Sequence, residues 1–193
     1  MATWSHPELG DFKLGYTGWA RDFMLPAFEP FRYGWGGRLR TRKKFTLEFD
    51  VDDEAEDNGP VPSKLAVAVA QRALQNQDLL AARITKAVWN DLNGRGRDTG
   101  MWWHGDTRTI NEQIASVFGG RKGKPQSLTS IKDLYLLLGL NKIRIRETSY
   151  MCERPNASIN FAAAFDEEHG VGVLSDGTRV LGIGYISDAT PYS

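Results

Sequence analysis

The segment KFTLEFDV, Lys44 to Val51, alternates regularly between apolar and polar residues. Every second residue from Phe45 to Val51 is apolar, and the residues between them are polar. This period of two predicts a strand with one face buried. Short apolar and aromatic runs, separated by glycine and proline, precede it and predict two further strands near residues 11–16 and 19–24.

The apolar period changes after Pro62. From Ser63 to Leu92 the chain is rich in alanine and has no glycine or proline. Apolar residues four positions apart, from Leu80 to Val88, share one face of a helix. Ser63 is a suitable N-cap. Residues 76–78 predict a break into two helices, with Asp78 helping to cap the second.

Two shorter helices are predicted farther along. One extends from Thr107 to Phe118 and is ended by Gly119 and Gly120. The other begins where Ser130 and Asp133 form a capping-box pattern, and we expect Gly139 to end it. The basic segment GRKGKP separates the two helices as a loop.

The C-terminal third returns to strand patterns, in KIRIRETSY, ASINFAAAF, GVGVL and TRVLGIGY. Asp176-Gly177 between apolar runs predicts a hairpin, and a two-residue turn there would place Ser175 opposite Thr178. The sequence therefore predicts an α+β fold, a mostly antiparallel sheet with helices packed on one face. We expect one domain over residues 1–193, with N-terminal strands (1–51), an acidic loop (52–62), a helical middle (63–140) and C-terminal strands (142–186).

Composition excludes several classes. The 193 residues carry 24 cationic and 24 acidic side chains, so no global field attracts nucleic acid or an anionic membrane. A single cysteine, Cys152, excludes an intrachain disulfide and a zinc ribbon. The start of the chain has no secretory pattern, and the longest apolar run, LYLLLGL, is too short for a bilayer. We expect a cytoplasmic protein without cofactor, nucleic-acid partner or membrane contact.

The segment FDEEHGVGVLS offers carboxylates and His169 of the types that bind metals or act as acids and bases. Neighbouring strand residues point to opposite faces, so at most two of these four side chains would converge. A phosphate loop would need its glycines before a helix, whereas here a strand follows. We interpret the segment as the start of a hairpin strand with His169 hydrogen-bonded near the turn, and we expect no metal.

The segment NGRGRDTGMWWHGD, Asn93 to Asp106, predicts a loop unusually rich in glycine, tryptophan and arginine. Tryptophan and arginine are common at interface hot spots, which makes the loop a candidate partner-binding surface. Its candidate residues are Arg95, Arg97, Trp102, Trp103 and His104. Alternatively the tryptophans cover the core, and a mixed outcome places one ring inside and one outside. His104 as a base oriented by Asp106 is a further, catalytic alternative.

Two charged runs lie close together in the first third of the chain. RLRTRKK, Arg38 to Lys44, has five cations and suits either a phosphate contact or the solvated face of a strand. The acidic run that follows is a second candidate for partner binding, through electrostatic steering of a basic partner, or else a simply solvated loop. Its candidate residues are Asp52, Asp53, Glu54, Glu56 and Asp57.

Two segments, LNGRGRDTGMWWHGD and AAFDEEHGVGVLSDGTRVLGIGYISDATPY, resemble motifs of a bacterial domain family of uncharacterised function. Members of that family carry an acidic DEEHG motif followed by a glycine-spaced hairpin. They are similar to the small immunity proteins encoded beside polymorphic toxins. The resemblance implies a protein that binds a toxin, and it brings no catalytic residues.

Three classes of function remain open at this point. The first is a non-enzymatic protein-binding protein, most specifically an immunity-type protein that neutralises a cognate bacterial toxin. The second is a small hydrolase or metal-dependent enzyme, which would need His104, Asp106, Glu168 and His169 to meet in one pocket. The third is an accessory or regulatory subunit. The sequence leaves the oligomeric state open.

Overall fold

An eight-stranded sheet forms the centre of the molecule. The computed structural model describes residues 2–50, 60–149 and 151–192. The sheet has the strand order β1-β2-β3-β6-β7-β8-β9-β10, and β4 and β5 pair separately. The strands are β1 (Thr3–His6), β2 (Gly10–Leu14), β3 (Gly18–Met24), β4 (Tyr33–Gly34), β5 (Arg38–Leu39), β6 (Lys44–Asp50), β7 (Leu138–Arg146), β8 (Asn156–Ala163), β9 (Asp166–Ser175) and β10 (Val180–Gly184).

The helices all lie in the chain between β6 and β7, apart from one 3₁₀ turn, Pro26–Phe28. They are α1 (Lys64–Gln75), α2 (Gln77–Leu92), α3 (Thr107–Phe118) and α4 (Leu134–Leu137), with a 3₁₀ turn at Ile131–Asp133. β6 and β7 are parallel neighbours. A tight turn cannot join parallel strands, so the chain connects these two through the long helical crossover. The other pairs in the large sheet are antiparallel, which confirms the predicted α+β fold with a mainly antiparallel sheet.

One continuous apolar row crosses five strands and explains why the helices cover one face. The strand registers place Leu47, Ile143, Ile159, Val173 and Ile183 side by side, and each is buried. The buried faces of α1 and α2 join the same core, so the predicted four-residue spacing in α2 marks its contact with the sheet.

At β6 and β7 the opposite face of the sheet is polar and carries ion pairs. The neighbouring row contains Glu48, Arg144 and Ser158. Glu48 lies 3.3 Å from both Lys142 and Arg144, and Asp50 pairs with Arg144 and with a further arginine of β7. The alternation that predicted β6 thus separates an apolar core face from a charged face.

Local signals place the helix ends well. The Ser63 side chain accepts a hydrogen bond from the amide of Ala66, and α1 ends at the predicted break. Asn76, which occupies the N-cap of α2, has no side-chain capping bond, and Asp78 lies in its first turn. Gly119 ends α3 in the left-handed conformation, at φ +55°.

Two local expectations are wrong. The capping box at Ser130 is present, but the helix gives way to strand at Leu138, so Gly139 does not end it. A side chain at Gly139 would collide with the carbonyl of Tyr33. The second error concerns the hairpin: β9 and β10 do pair, but Ser175 lies opposite Val180 and the loop has four residues, 176–179, with a bulge before Gly182.

The Asp176 side chain explains the longer turn. Its Oδ1 accepts hydrogen bonds from the amides of Thr178 and Arg179, at 3.0 and 2.8 Å. Burial opposes ionisation of Asp176, yet these amide bonds hold its pKa below the ordinary value.

None of the helices in the described ranges is both long enough and apolar enough to cross a bilayer.

Candidate functional site

The tandem tryptophans lie at different depths. Trp103 is 1% exposed, and its ring makes edge contacts with Phe165 at 5.7 Å and Tyr185 at 5.2 Å. Trp102 is half-buried and meets Trp103 at a steep angle, with 6.1 Å between ring centres. Trp103 thus lies inside, whereas Trp102 packs against the same core and is only partly exposed, so the two rings differ in depth but neither is fully outside.

Asp91, near the end of α2, binds three side chains of the following loop. Its carboxylate is 3% exposed and accepts a hydrogen bond from Trp103 Nε1 at 2.7 Å. His104 Nδ1 lies 2.7 Å from the other carboxylate oxygen, and the Thr99 hydroxyl lies 3.2 Å from it. A buried carboxylate requires such partners, because an unpaired charge in the interior is costly.

The same residue closes the neck of the loop through its backbone. The amides of Gly94 and Gly105 both donate to the Asp91 carbonyl, at 3.0 and 3.2 Å. These glycines have φ of +63° and +73°, and a Cβ on either would lie within 3.2 Å of the other's backbone. A side chain at either position would therefore be strained, both by its positive φ and by this close approach. Residues 94–105 therefore form a closed loop, which we call the Trp loop, fixed at its base by Asp91.

Asp166 holds the other tryptophan in a second, similar arrangement. Trp102 Nε1 donates to Asp166 Oδ2 at 2.9 Å, and both the amide and the Nδ1 of His169 lie about 3 Å from Asp166 Oδ1. The His169 ring stacks on Tyr185 at 4.4 Å, and Tyr185 also contacts Trp103. His169 is therefore hydrogen-bonded near the turn, as we predicted.

A cavity of about 360 Å³ opens beside this second pair. Trp102, Ser116, Asp166 and His169 line it, and the His169 side chain is 43% exposed. In both Asp–His pairs the carboxylate lies against Nδ1 of the imidazole ring. Such a pair can act as an acid or a base, and it can equally serve to fix two elements together.

The Asp166–His169 motif also ties the site to the β4–β5 region. Glu167 accepts hydrogen bonds from the Tyr33 hydroxyl and from the Gly36 amide, the latter at 2.8 Å. Glu168 is exposed, with an oxygen 3.9 Å from His169 Nε2. Of the four consecutive residues, Asp166 and His169 therefore meet, whereas Glu167 binds the β4–β5 region instead.

The residues predicted for an enzyme do not form one constellation. His104 is oriented by Asp91 and not by Asp106, which caps α3 by accepting the Thr109 amide at 3.0 Å. That bond lowers the pKa of Asp106 below its ordinary value. His169 pairs with Asp166 instead. Within the ranges that the structure covers, no three histidine, cysteine, aspartate or glutamate residues are grouped so as to hold a metal.

The predicted partner-binding residues are distributed unevenly. Arg95 and Arg97 are exposed on the Trp loop, and His104 is mostly buried at its base. A second cavity, about 200 Å³, lies beneath the arginines and is lined by Asp91 and Tyr192 as well. Burial and the nearby Asp91 raise the pKa of Tyr192 to about 12.

The predicted acidic residues lie outside the described part of the chain; they are Asp52, Asp53, Glu54, Glu56 and Asp57.

Three residues of the site were not predicted from the sequence. They are Asp91, Tyr185, and Asp166 in its role as the partner of Trp102. Asp91 is embedded in a helical pattern, where a polar residue normally faces solvent. No local signal distinguishes it, because its partners come from a loop that folds back on the helix.

Comparison of the chain with protein-family models, with curated proteins and with solved structures finds no match.

Proposed function

We propose that this protein is a non-enzymatic protein-binding protein that recognises its partner through the Trp loop. The observation that carries the proposal is the fixed base of this loop. Asp91 clamps the neck through two glycine amides and holds Trp103 and His104 from below. The exposed arginines therefore project from a base that is already ordered.

Preorganisation of this kind favours binding. Ordering a flexible loop at an interface costs free energy, and a loop fixed in advance avoids most of that cost. Arginine is enriched among interface residues that dominate affinity. The cavity of about 200 Å³ beneath Arg95 and Arg97 offers a recess for a side chain of the partner.

In its most specific form, the proposal is that the partner is a bacterial toxin domain, which this protein neutralises by covering it. The resemblance of the Trp-loop and DEEHG segments to immunity-type proteins supports this form. Neutralisation by occlusion needs a complementary surface and no catalytic constellation. An accessory subunit would use the same surface with a different partner.

The test begins with capture of partners from a native lysate on tagged wild-type protein, followed by titration of the purified partner. We expect Arg95→Gln/Arg97→Gln to raise the Kd at least about tenfold, since each hot-spot arginine typically costs more than about 1 kcal/mol when it is removed and about 1.4 kcal/mol in total is tenfold. Lys64→Gln/Lys86→Gln removes two exposed helix cations and is the matched control. Co-expression with the partner then tests neutralisation directly, by cell growth.

Equal affinity of the loop variant and the control variant would contradict recognition through the Trp loop. Failure to capture any stoichiometric partner with folded wild-type protein would contradict the binding function itself. Trp103→Ala is unsuitable for this test, because it removes a buried ring and would confuse misfolding with lost recognition.

A second function, hydrolysis, is favoured by one observation. The oriented His169 and the hydroxyl-bearing Ser116 line the same cavity of about 360 Å³, which has the size of a small-ligand site. We would assay activated esters with wild type, His169→Gln and Ser116→Ala. Turnover that disappears in both variants while their melting temperatures hold would support a hydrolase, and absence of turnover in wild type would count against it.

A further inference from the structure

A strongly basic surface surrounds the β4–β5 hairpin. Six cations and no carboxylate occur between Phe31 and Leu47. The cations are Arg32, Arg38, Arg40, Arg42, Lys43 and Lys44, and all are exposed. In the part of the chain that the structure describes, none of the ion pairs involves them.

Trp35 stands at the tip of this hairpin and is 63% exposed. Most tryptophans bury much of their surface, so an exposed one among cations suggests contact with another molecule. Gly36 and Gly37 follow it with φ of +67° and +69°, which allows the tight turn that presents the ring.

The hairpin is anchored to the body of the protein. The Gly36 amide donates to Glu167 Oε1, and the Tyr33 hydroxyl donates to the same carboxylate. The Tyr33 ring packs against Phe118 of α3, at 6.0 Å. Trp35 therefore lies in a turn that is fixed on either side, at Tyr33 and at Gly36, by hydrogen bonds to Glu167.

A cavity of about 140 Å³ lies beside Trp35. The guanidinium-bearing side chains of Arg40 and Arg42 line it, together with Leu140 and Asn141 of β7. Sites for whole small molecules are usually about 300–1,000 Å³. This cavity is smaller, and it suits a single anionic group or side chain. Arginine forks bind carboxylate through paired hydrogen bonds.

We propose that the Trp35 hairpin is a docking site for an acidic segment of a partner protein. A carboxylate of that segment accepts hydrogen bonds from Arg40 and Arg42 in the cavity, and a neighbouring residue packs on the Trp35 ring. This inference rests on the proposed protein-binding function and specifies the chemistry of the partner.

A protein segment fits this surface better than nucleic acid does. Grooves for single-stranded nucleic acid stack successive bases on several aromatic rings. Trp35 is the one exposed aromatic ring between β4 and the start of β6, in a stretch that the structure describes throughout. The combination of one tryptophan with arginines is instead typical of protein hot spots.

Two adjacent residues of β9 link the hairpin to the Trp loop. Asp166 binds Trp102 of the loop, and the adjacent Glu167 binds Gly36 of the hairpin. Both of these carboxylate residues, together with Trp102, line the cavity of about 360 Å³. One partner can therefore contact the Trp loop and the hairpin together.

The test uses fluorescence anisotropy with a short labelled peptide of alternating glutamate and glycine as the probe. We expect wild-type protein to bind it with an affinity that falls as salt is added, because the exposed charges are screened. Arg40→Gln/Arg42→Gln should weaken binding about tenfold or more, as expected for hot-spot arginines. Trp35→Ala, which keeps every charge, should weaken it several-fold, and Lys64→Gln/Lys86→Gln should leave it within about twofold.

Equal binding by wild type, Trp35→Ala and the arginine variant would overturn the proposal. So would tighter binding of a labelled oligothymidylate or of phosphatidylglycerol vesicles than of the peptide, which would assign the hairpin to nucleic acid or lipid. Because the peptide is synthetic, the result is separable from partner capture. If a natural partner binds wild type and Arg40→Gln/Arg42→Gln equally, the hairpin inference fails while the protein-binding function stands.

Discussion

Replacing Trp103 by phenylalanine tests whether Asp91 organises the Trp loop. The smaller ring retains contacts with Phe165 and Tyr185, but the indole N–H that donates to Asp91 at 2.7 Å is lost. A hydrogen bond to a charged group contributes roughly 1.5–3 kcal/mol. The cavity left by the lost ring adds about 1 kcal/mol. His104 still pairs with the carboxylate, so we expect about 3 kcal/mol of destabilisation.

Urea unfolding followed by circular dichroism measures this loss as a lower midpoint with an unchanged m-value. Trp89→Phe is the matched control, because Trp89 lies on the same helix as Asp91 and its ring nitrogen has no hydrogen bond to a described residue. We expect the control to cost less than about 1 kcal/mol. A Trp103→Phe loss no larger than that of Trp89→Phe would refute the assignment of Asp91 as the organising group.

Three further predictions concern backbone strain and ionisation. Gly177→Ala should destabilise the protein by about 1–3 kcal/mol more than Gly96→Ala, measured by urea unfolding, because both have φ of +95° but only Gly177 has a backbone carbonyl within 2.6 Å of the new Cβ. Burial, followed by hydrogen bonding and repulsion from Glu167, raises the pKa of Tyr33 above 10.0. The neutral Tyr33 hydroxyl therefore stabilises the folded protein below pH 10, and this stabilisation is lost as the pH rises above 10. Above pH 10 the free energy of unfolding of wild type should fall more steeply than that of Tyr33→Phe. The pKa of Asp176 is lowered from 3.8, because amide hydrogen bonds outweigh burial, so wild type should lose more stability than Asp176→Asn as the pH falls below that value in acid titrations.

Features that depend on neighbouring residues were predicted well from the sequence. The period of two in β6, the Ser63 cap of α1 and the bounds of α3 with Gly119 are all present. Each of these features depends on residues only a few positions apart in the sequence, so local propensity and the local structure agree. The α+β class followed from the order of these elements.

The hairpin between β9 and β10 shows where local reasoning ends. Asp176-Gly177 correctly indicated a turn between two strands. The turn length was wrong, because Asp176 binds the amides of Thr178 and Arg179 and thereby stabilises a four-residue loop. Competition between such a side-chain bond and a tight two-residue turn is not decided by the residue types alone.

The candidate site was decided by tertiary structure. The sequence identified the unusual Trp loop and the DEEHG motif, and it predicted that the two rings would lie at different depths. It could not pair Trp102 with Asp166, 64 positions away, or Tyr33 with Glu167, 134 positions away. These partners meet because the helical crossover returns the chain to the sheet beside β6, and packing then determines which polar groups share the same buried space.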